Sequence, residues 1–224
     1  MLRRFRRQAA ESVTRPEAGA REGTRAGHDA PDVERAKALH RLALQQMRDK
    51  KYEKAAAGFA AVEAACPPEH IGLHALAKSQ RAGALMGTRR YAEALAVFDE
   101  LAADVGSDGR LRGESSSDQL PTVLWGRAVC LEHLGRLPAA REAVGRLIDE
   151  VGSGTTPKQR LYVGQAYLLQ ARTAEARGRF DEAAEGVNAA IRHCSSVDEP
   201  VLKAVLHEAE QMKAALQARV RPAR

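Results

Sequence analysis

Residues 171–190 read ARTAEARGRFDEAAEGVNAA. Gly178-Arg179 interrupts a helical pattern, and Phe180 opens a new one. Nine residues before Phe180 stands Ala171; three after it stands Ala183; seven and ten after it stand Val187 and Ala190. Two helices joined by a tight turn can cross closely only where small side chains meet. Larger residues one and two turns further on then fill the space beside the crossing.

Upstream the same spacing recurs three times. With Tyr52, Tyr91 and Leu137 as anchors beside Phe180, the residue nine before is Ala43, Ala82 or Ala128. Three after stand Ala55, Ala94 and Ala140; seven after, Phe59, Phe98 and Val144; ten after, Val62, Leu101 and Leu147. One column could arise by chance in an alanine-rich chain, but five columns held in register over four segments mark an internal repeat. No single helix pair can bury its apolar face alone, so such pairs stack on one another.

Between the anchors the helical pattern breaks at Lys50-Lys51, Cys66-Pro67-Pro68, Gly87-Thr88, 106–118, Gly135, 152–157, Gly178 and 194–200. The spacing predicts nine helices, at 32–49, 52–65, 69–87, 91–105, 120–134, 138–151, 157–177, 180–194 and 199–219. Thr156-Pro157-Lys158-Gln159 carries a complete start signal: a capping Thr, Pro at the first helical position, and Gln three residues after the cap. Asp118 with Pro121, and Ser196 to Glu199 with Pro200, are read as weaker versions of the same signal.

Composition agrees with an all-α fold. Hydrophobic residues make up 44% of the chain but aromatics only 4%, so the core must be built from Ala, Leu and Val. The three cysteines, at 66, 130 and 194, are odd in number and widely spaced, which reads as free thiols in a reducing, cytoplasmic setting. No apolar run approaches the roughly 18 to 20 residues of a membrane span. The excess of Arg over Lys and the lone Asn188 fit a GC-rich bacterial genome. The net charge of +6 sits at the ends: seven Arg against four acids in residues 1–30, then Arg219, Arg221 and Arg224. The body between them is close to neutral. Residues 1–30 lack an apolar stripe and are read as a disordered basic arm, and 220–224 as a disordered basic tail.

From Leu39 to about Ala190 the repeat resembles the tetratricopeptide repeat family. The resemblance is carried by the alanine columns, the turns Gly135-Arg136-Leu137 and Gly178-Arg179-Phe180, the runs 91–94 and 180–183, and Pro67 at a closing position. Lys50 and Arg89 replace the turn glycine in the first two repeats, and Leu39, Lys78, Leu124 and Tyr167 replace the usual Trp. Anchors 39, 46 and 43 residues apart exceed the family's 34. The resemblance implies a right-handed α-solenoid of stacked antiparallel helix pairs over residues 31–198, closed by a capping helix at 199–219.

It also implies a concave groove, lined by the first helix of each pair, that holds another protein or a peptide. In register, the groove residues are His40, Leu44, Met47 and Arg48; Ser79, Gly83 and Met86; Trp125, Val129, Glu132 and His133; and Leu168, Arg172 and Glu175. Trp125 either anchors a ligand or packs against a neighbouring pair. Leu44, Gly83, Val129 and Arg172 stand where some family members place the Asn of a carboxylate clamp, which argues against a chaperone C-terminus as ligand.

Catalytic signatures are absent: no phosphate-binding or dinucleotide loop, no HExxH and no GxSxG. His207-Glu208 has Gln211 where a second zinc ligand would stand. Cys66, His70 and His74 share a four-residue spacing, but Pro67 and Pro68 break the helix between them and a fourth ligand is missing. No metal or cofactor is expected, and the chain reads as a non-enzymatic adaptor or regulatory scaffold. Two alternatives come from other classes. One is a nucleic-acid-associated regulator using its basic termini, such as Arg3, Arg4, Arg6 and Arg7, against which the near-neutral body counts. The other is a self-assembling unit that forms homodimers through the 106–118 loop or the last helix.

Overall fold

The computed structural model describes residues 29–105, 114–195 and 199–220. Among them are nine helices and no strand: α1 (Asp29–Arg48), α2 (Tyr52–Ala65), α3 (Ile71–Gly87), α4 (Tyr91–Val105), α5 (Glu114–His133), α6 (Leu137–Val151), α7 (Pro157–Ala176), α8 (Phe180–Cys194) and α9 (Pro200–Val220). Nearly all of the expected basic arm, most of the 106–118 loop and the last four residues lie outside the described part.

Each helix packs on the next along the chain. Beyond these neighbours, α3 touches α5, α5 touches α7, and α7 touches α9, whereas the even-numbered helices barely meet one another. The odd helices therefore form one layer and the even helices a second, more widely spaced one. This is an all-α helical-repeat solenoid.

The repeat columns account for the core. Ala43, Ala82, Ala128 and Ala171 are fully buried, as are Val62, Leu101, Leu147 and Ala190. Ala55, Ala94, Ala140 and Ala183, with Phe59, Phe98, Val144 and Val187, are buried beside them. A further column pairs with the first. Gly58 and Gly186, six residues after their anchors, sit so close to the crossing alanines that a Cβ on either would come 2.9 Å from Ala43 Cβ or 3.1 Å from Ala171 Cβ.

Of the anchors, Tyr52 and Tyr91 are half-buried between one pair and the next, whereas Leu137 and Phe180 are exposed. The Tyr52 ring lies against Gly87, where a Cβ would come within 2.7 Å of it. Tyr91 stacks on His133 with centroids 4.1 Å apart and planes 9° apart. Gly87 and His133 occupy the same register, four residues before the following anchor.

All four turns inside the pairs are built alike. The residue two before each anchor has positive φ: Lys50 (58°), Arg89 (61°), Gly135 (72°) and Gly178 (71°). Each first helix ends in a Schellman motif, with Lys51, Arg90, Arg136 and Arg179 N–H donating to the carbonyls of Gln46, Leu85, Leu131 and Ala174. A left-handed conformation crowds the Cβ of Lys50 and Arg89, whereas Gly carries none. Lys50→Gly and Arg89→Gly should each raise the unfolding free energy by about 0.5–1 kcal/mol, read as a shifted urea midpoint at unchanged slope. Gly135→Ala and Gly178→Ala should move it the other way by a similar amount.

Thr156 caps α7 as its sequence predicts. Its hydroxyl oxygen accepts from Gln159 N–H at 3.2 Å, and Gln159 Oε1 accepts from Thr156 N–H at 3.1 Å. The start of α5 differs from expectation. The helix begins at Glu114 rather than near 120, and Pro121 is internal. Pro121 is the eighth residue of α5, past the first four whose N–H groups lack a helical partner, so its ring removes one backbone bond from the helix.

Cys66, Cys130 and Cys194 are buried free thiols. Burial, and then the Asp99 carboxylate, push the Cys130 thiol up to about 12. The native chain should therefore react with a thiol reagent such as Ellman's far more slowly than the urea-unfolded chain, in which all three should titrate. Above about pH 8.5 the unfolded thiols lose protons that the folded chain retains, so stability should fall as pH rises toward 12.

Candidate interaction surface

The odd layer carries a half-exposed apolar strip. From α1 come Leu44 and Met47, from α3 Met86, and from α5 Trp125, each resting on the main core cluster with one side open. The Met47 methyl lies 3.6 Å from the position a Cβ would take at Gly83, an ordinary van der Waals distance, so the side chain of α1 reaches α3 here. Trp125 lies tilted beside Tyr162 of α7, with ring centroids 6.5 Å apart. Val129 and Glu132 continue the strip along α5, and His133, stacked on Tyr91, ends it. Tyr162 was not foreseen, because it lies in the second turn of α7, outside the repeat columns.

At the α1 end the polar residues are tied to neighbours. His40 shares a hydrogen bond with Gln80 and tilts against Phe59, with ring centroids 5.8 Å apart. Exposed Arg48 donates to Gln45 Oε1 at 2.8 Å.

Four of the expected groove residues are placed differently. Leu168 is 1% exposed and belongs to the core cluster with Leu202 and Val205 of α9, so nothing outside can reach it. Ser79 is buried, and its hydroxyl donates back to Leu76 C=O at 3.0 Å, a bond within its own helix. Arg172 is paired with Glu208 at 2.6 Å and Glu175 with Arg219 at 2.7 Å, both partners on α9. The last helix thus lies across the α7 section, and the accessible strip runs over α1, α3 and α5. Arg219, one of the terminal basic residues, is thus paired within the fold while its side chain stays exposed.

Cys66 Sγ contacts the carbonyls of Pro67 and His70, both at 3.7 Å. Burial holds the His74 imidazole below its ordinary pKa, helped by the Lys78 charge. Among the described residues no group of three or more His, Cys, Asp or Glu side chains is placed to hold a metal ion. His207 is bonded to Gln211 at 2.8 Å, four residues along α9. No described helix is long and apolar enough to cross a membrane.

Compared with known proteins, the chain matches no family model and no curated protein sequence.

Proposed function

We propose that this chain is a non-enzymatic protein–protein interaction module of the tetratricopeptide-repeat kind, acting as an adaptor or regulatory scaffold. Its ligand is a peptide or protein segment with apolar side chains, laid along the odd-helix face. The observation that carries this reading is the strip formed by Leu44, Met47, Met86 and Trp125, half-open on a rigidly stacked layer. Methionines give an adaptable apolar surface, and an aromatic ring at the centre of a strip is a typical anchor.

The test uses peptides selected from a phage-displayed random library against the full chain. The single Trp should report their binding by a shift in its emission. Trp125→Ala should weaken the selected peptides by about 2 kcal/mol, roughly thirtyfold, the scale of a central interface residue. Equal affinity for wild type and Trp125→Ala, at comparable melting temperature, would remove the odd-helix face as the binding surface.

A further inference from the structure

The repeats supply an internal comparison on the other side of the molecule. Neighbouring even helices leave a furrow between them, floored by the odd helix they share. In the first furrow, between α2 and α4 over α3, the floor cations are matched by acids. Arg81 meets Glu63 at 2.8 Å, and Lys78 meets Glu100 at 3.0 Å. In the second, over α5, Arg127 meets Asp99 of α4 at 2.7 Å. Arg81 and Arg127 occupy one register, ten residues before the next anchor.

The third furrow, between α6 and α8 over α7, departs from this pattern. Gln170 stands in the register of Arg81 and Arg127, and Tyr167 in that of Lys78. Among the described residues the positions matching Arg81, Arg127 and Lys78 carry no charge here, the α7 cation Arg160 donates instead to the His193 carbonyl of α8 at 3.0 Å, and α6 packs less extensively on α7 than other consecutive helices do on each other. The result is a cleft of about 610 Å³, lined by Arg141 of α6, Tyr167 and Gln170 of α7, and Asn188 and Arg192 of α8. Its volume falls within the range of ligand-binding sites. Among the described residues, neither Arg141 nor Arg192 has an acidic partner within ion-pair distance. Two carboxylates also line the cleft: Glu182, held by Arg179 at 2.9 Å, and Glu185.

We propose that this furrow is a second binding site, for an extended peptide segment carrying acidic side chains. Guanidinium groups on both walls take the place that acids and bases fill for each other in the first two furrows. The side-chain amides of Gln170 and Asn188 each offer a donor and an acceptor, which suits the alternating N–H and C=O of a peptide backbone. Because Glu182 and Glu185 also line the cleft, the acidic side chains of the segment must fall at Arg141 and Arg192, a spacing that discrete side chains can meet and the continuous phosphate charge of a nucleic acid cannot. From Glu182 to Arg192 the wall runs about 15 Å at the α-helical rise. That accommodates roughly four or five residues of extended chain. The proposal rests on the interaction-module reading but uses a different face.

The experiment pans phage-displayed random decapeptides against the full chain, resynthesises the enriched peptides with a fluorescent label, and titrates them. A class rich in Asp and Glu is expected. Arg141→Glu and Arg192→Glu should each weaken it about tenfold, the cost of one charge-assisted contact. Trp125→Ala should leave it unchanged. Both arginines are exposed, so thermal melts of the variants should match wild type. The proposal is overturned if no acidic class is enriched, or if such a class ignores both arginine substitutions. It is equally overturned if single-stranded oligo-dT displaces the peptides and binds more tightly at these arginines. An apolar class that is lost with Trp125→Ala alone would leave the odd-helix reading standing while this one fell; no bound peptide of either class would end both.

Discussion

Phe98→Ala is expected to lower the unfolding free energy by about 3–5 kcal/mol, measured by urea denaturation. The ring is 2% exposed on α4 and lies directly on Gly126 of α5, where a Cβ would overlap its outer edge. Removing it takes away apolar burial and leaves a void that two rigid helices cannot fully close. A domain of this size has only about 5–15 kcal/mol in total, so this single change should leave the chain barely folded. The partner experiment gives the same contact an opposite test. Gly126→Ala should cost about 1–3 kcal/mol, because the added methyl forces the ring to move. Combined with Phe98→Leu, the cost of Gly126→Ala should shrink by at least about 0.5 kcal/mol, the signature of two residues competing for one space. Purely additive losses would show that the ring does not set the separation of α4 and α5.

The second large effect is expected at the fourth crossing. Ala171 is fully buried, and Gly186 of α8 approaches so closely that even its own missing Cβ would stand 3.1 Å away. Ala171→Leu should destabilise by about 1–3 kcal/mol through overpacking. The same substitution at Ala43, under Gly58, should do likewise, since both crossings use a glycine to let the backbones meet. A neutral result at both sites would mean that these helices can separate without cost, and that the alanine columns do not fix the packing.

The architecture could be read from the sequence because its determinants are local and repeated. The second helix of every pair starts within one residue of expectation, since each follows a turn whose left-handed residue and Schellman bonds are set by the few residues around it. The start of α5 differs from the sequence expectation because a proline marks a helix beginning only when no turn precedes it, and here about two turns do. The surface was harder to read. Register assigns Leu168, Arg172 and Glu175 to one face of α7, and it cannot say that a later helix lies on that face. The opening between α6 and α8 was equally invisible, because it depends on which ion pairs form in the other furrows. The glycine column at 58 and 186 was present in the sequence, though only two of the four repeats carry it.

The pinning of α9 to α7 also constrains how copies of this chain can assemble. The exposed positions of α9 include Lys203, Glu210, Lys213 and Gln217 beside Val201, a largely polar surface. Head-to-tail growth needs two complementary surfaces, and a largely polar face of α9 is a poor complement to an apolar one. On α1, by contrast, Leu42 is 57% exposed. A contact that paired two α1 helices through the same surface would be two-fold symmetric and closed at a pair, unlike the open stacking that lengthens the repeat internally.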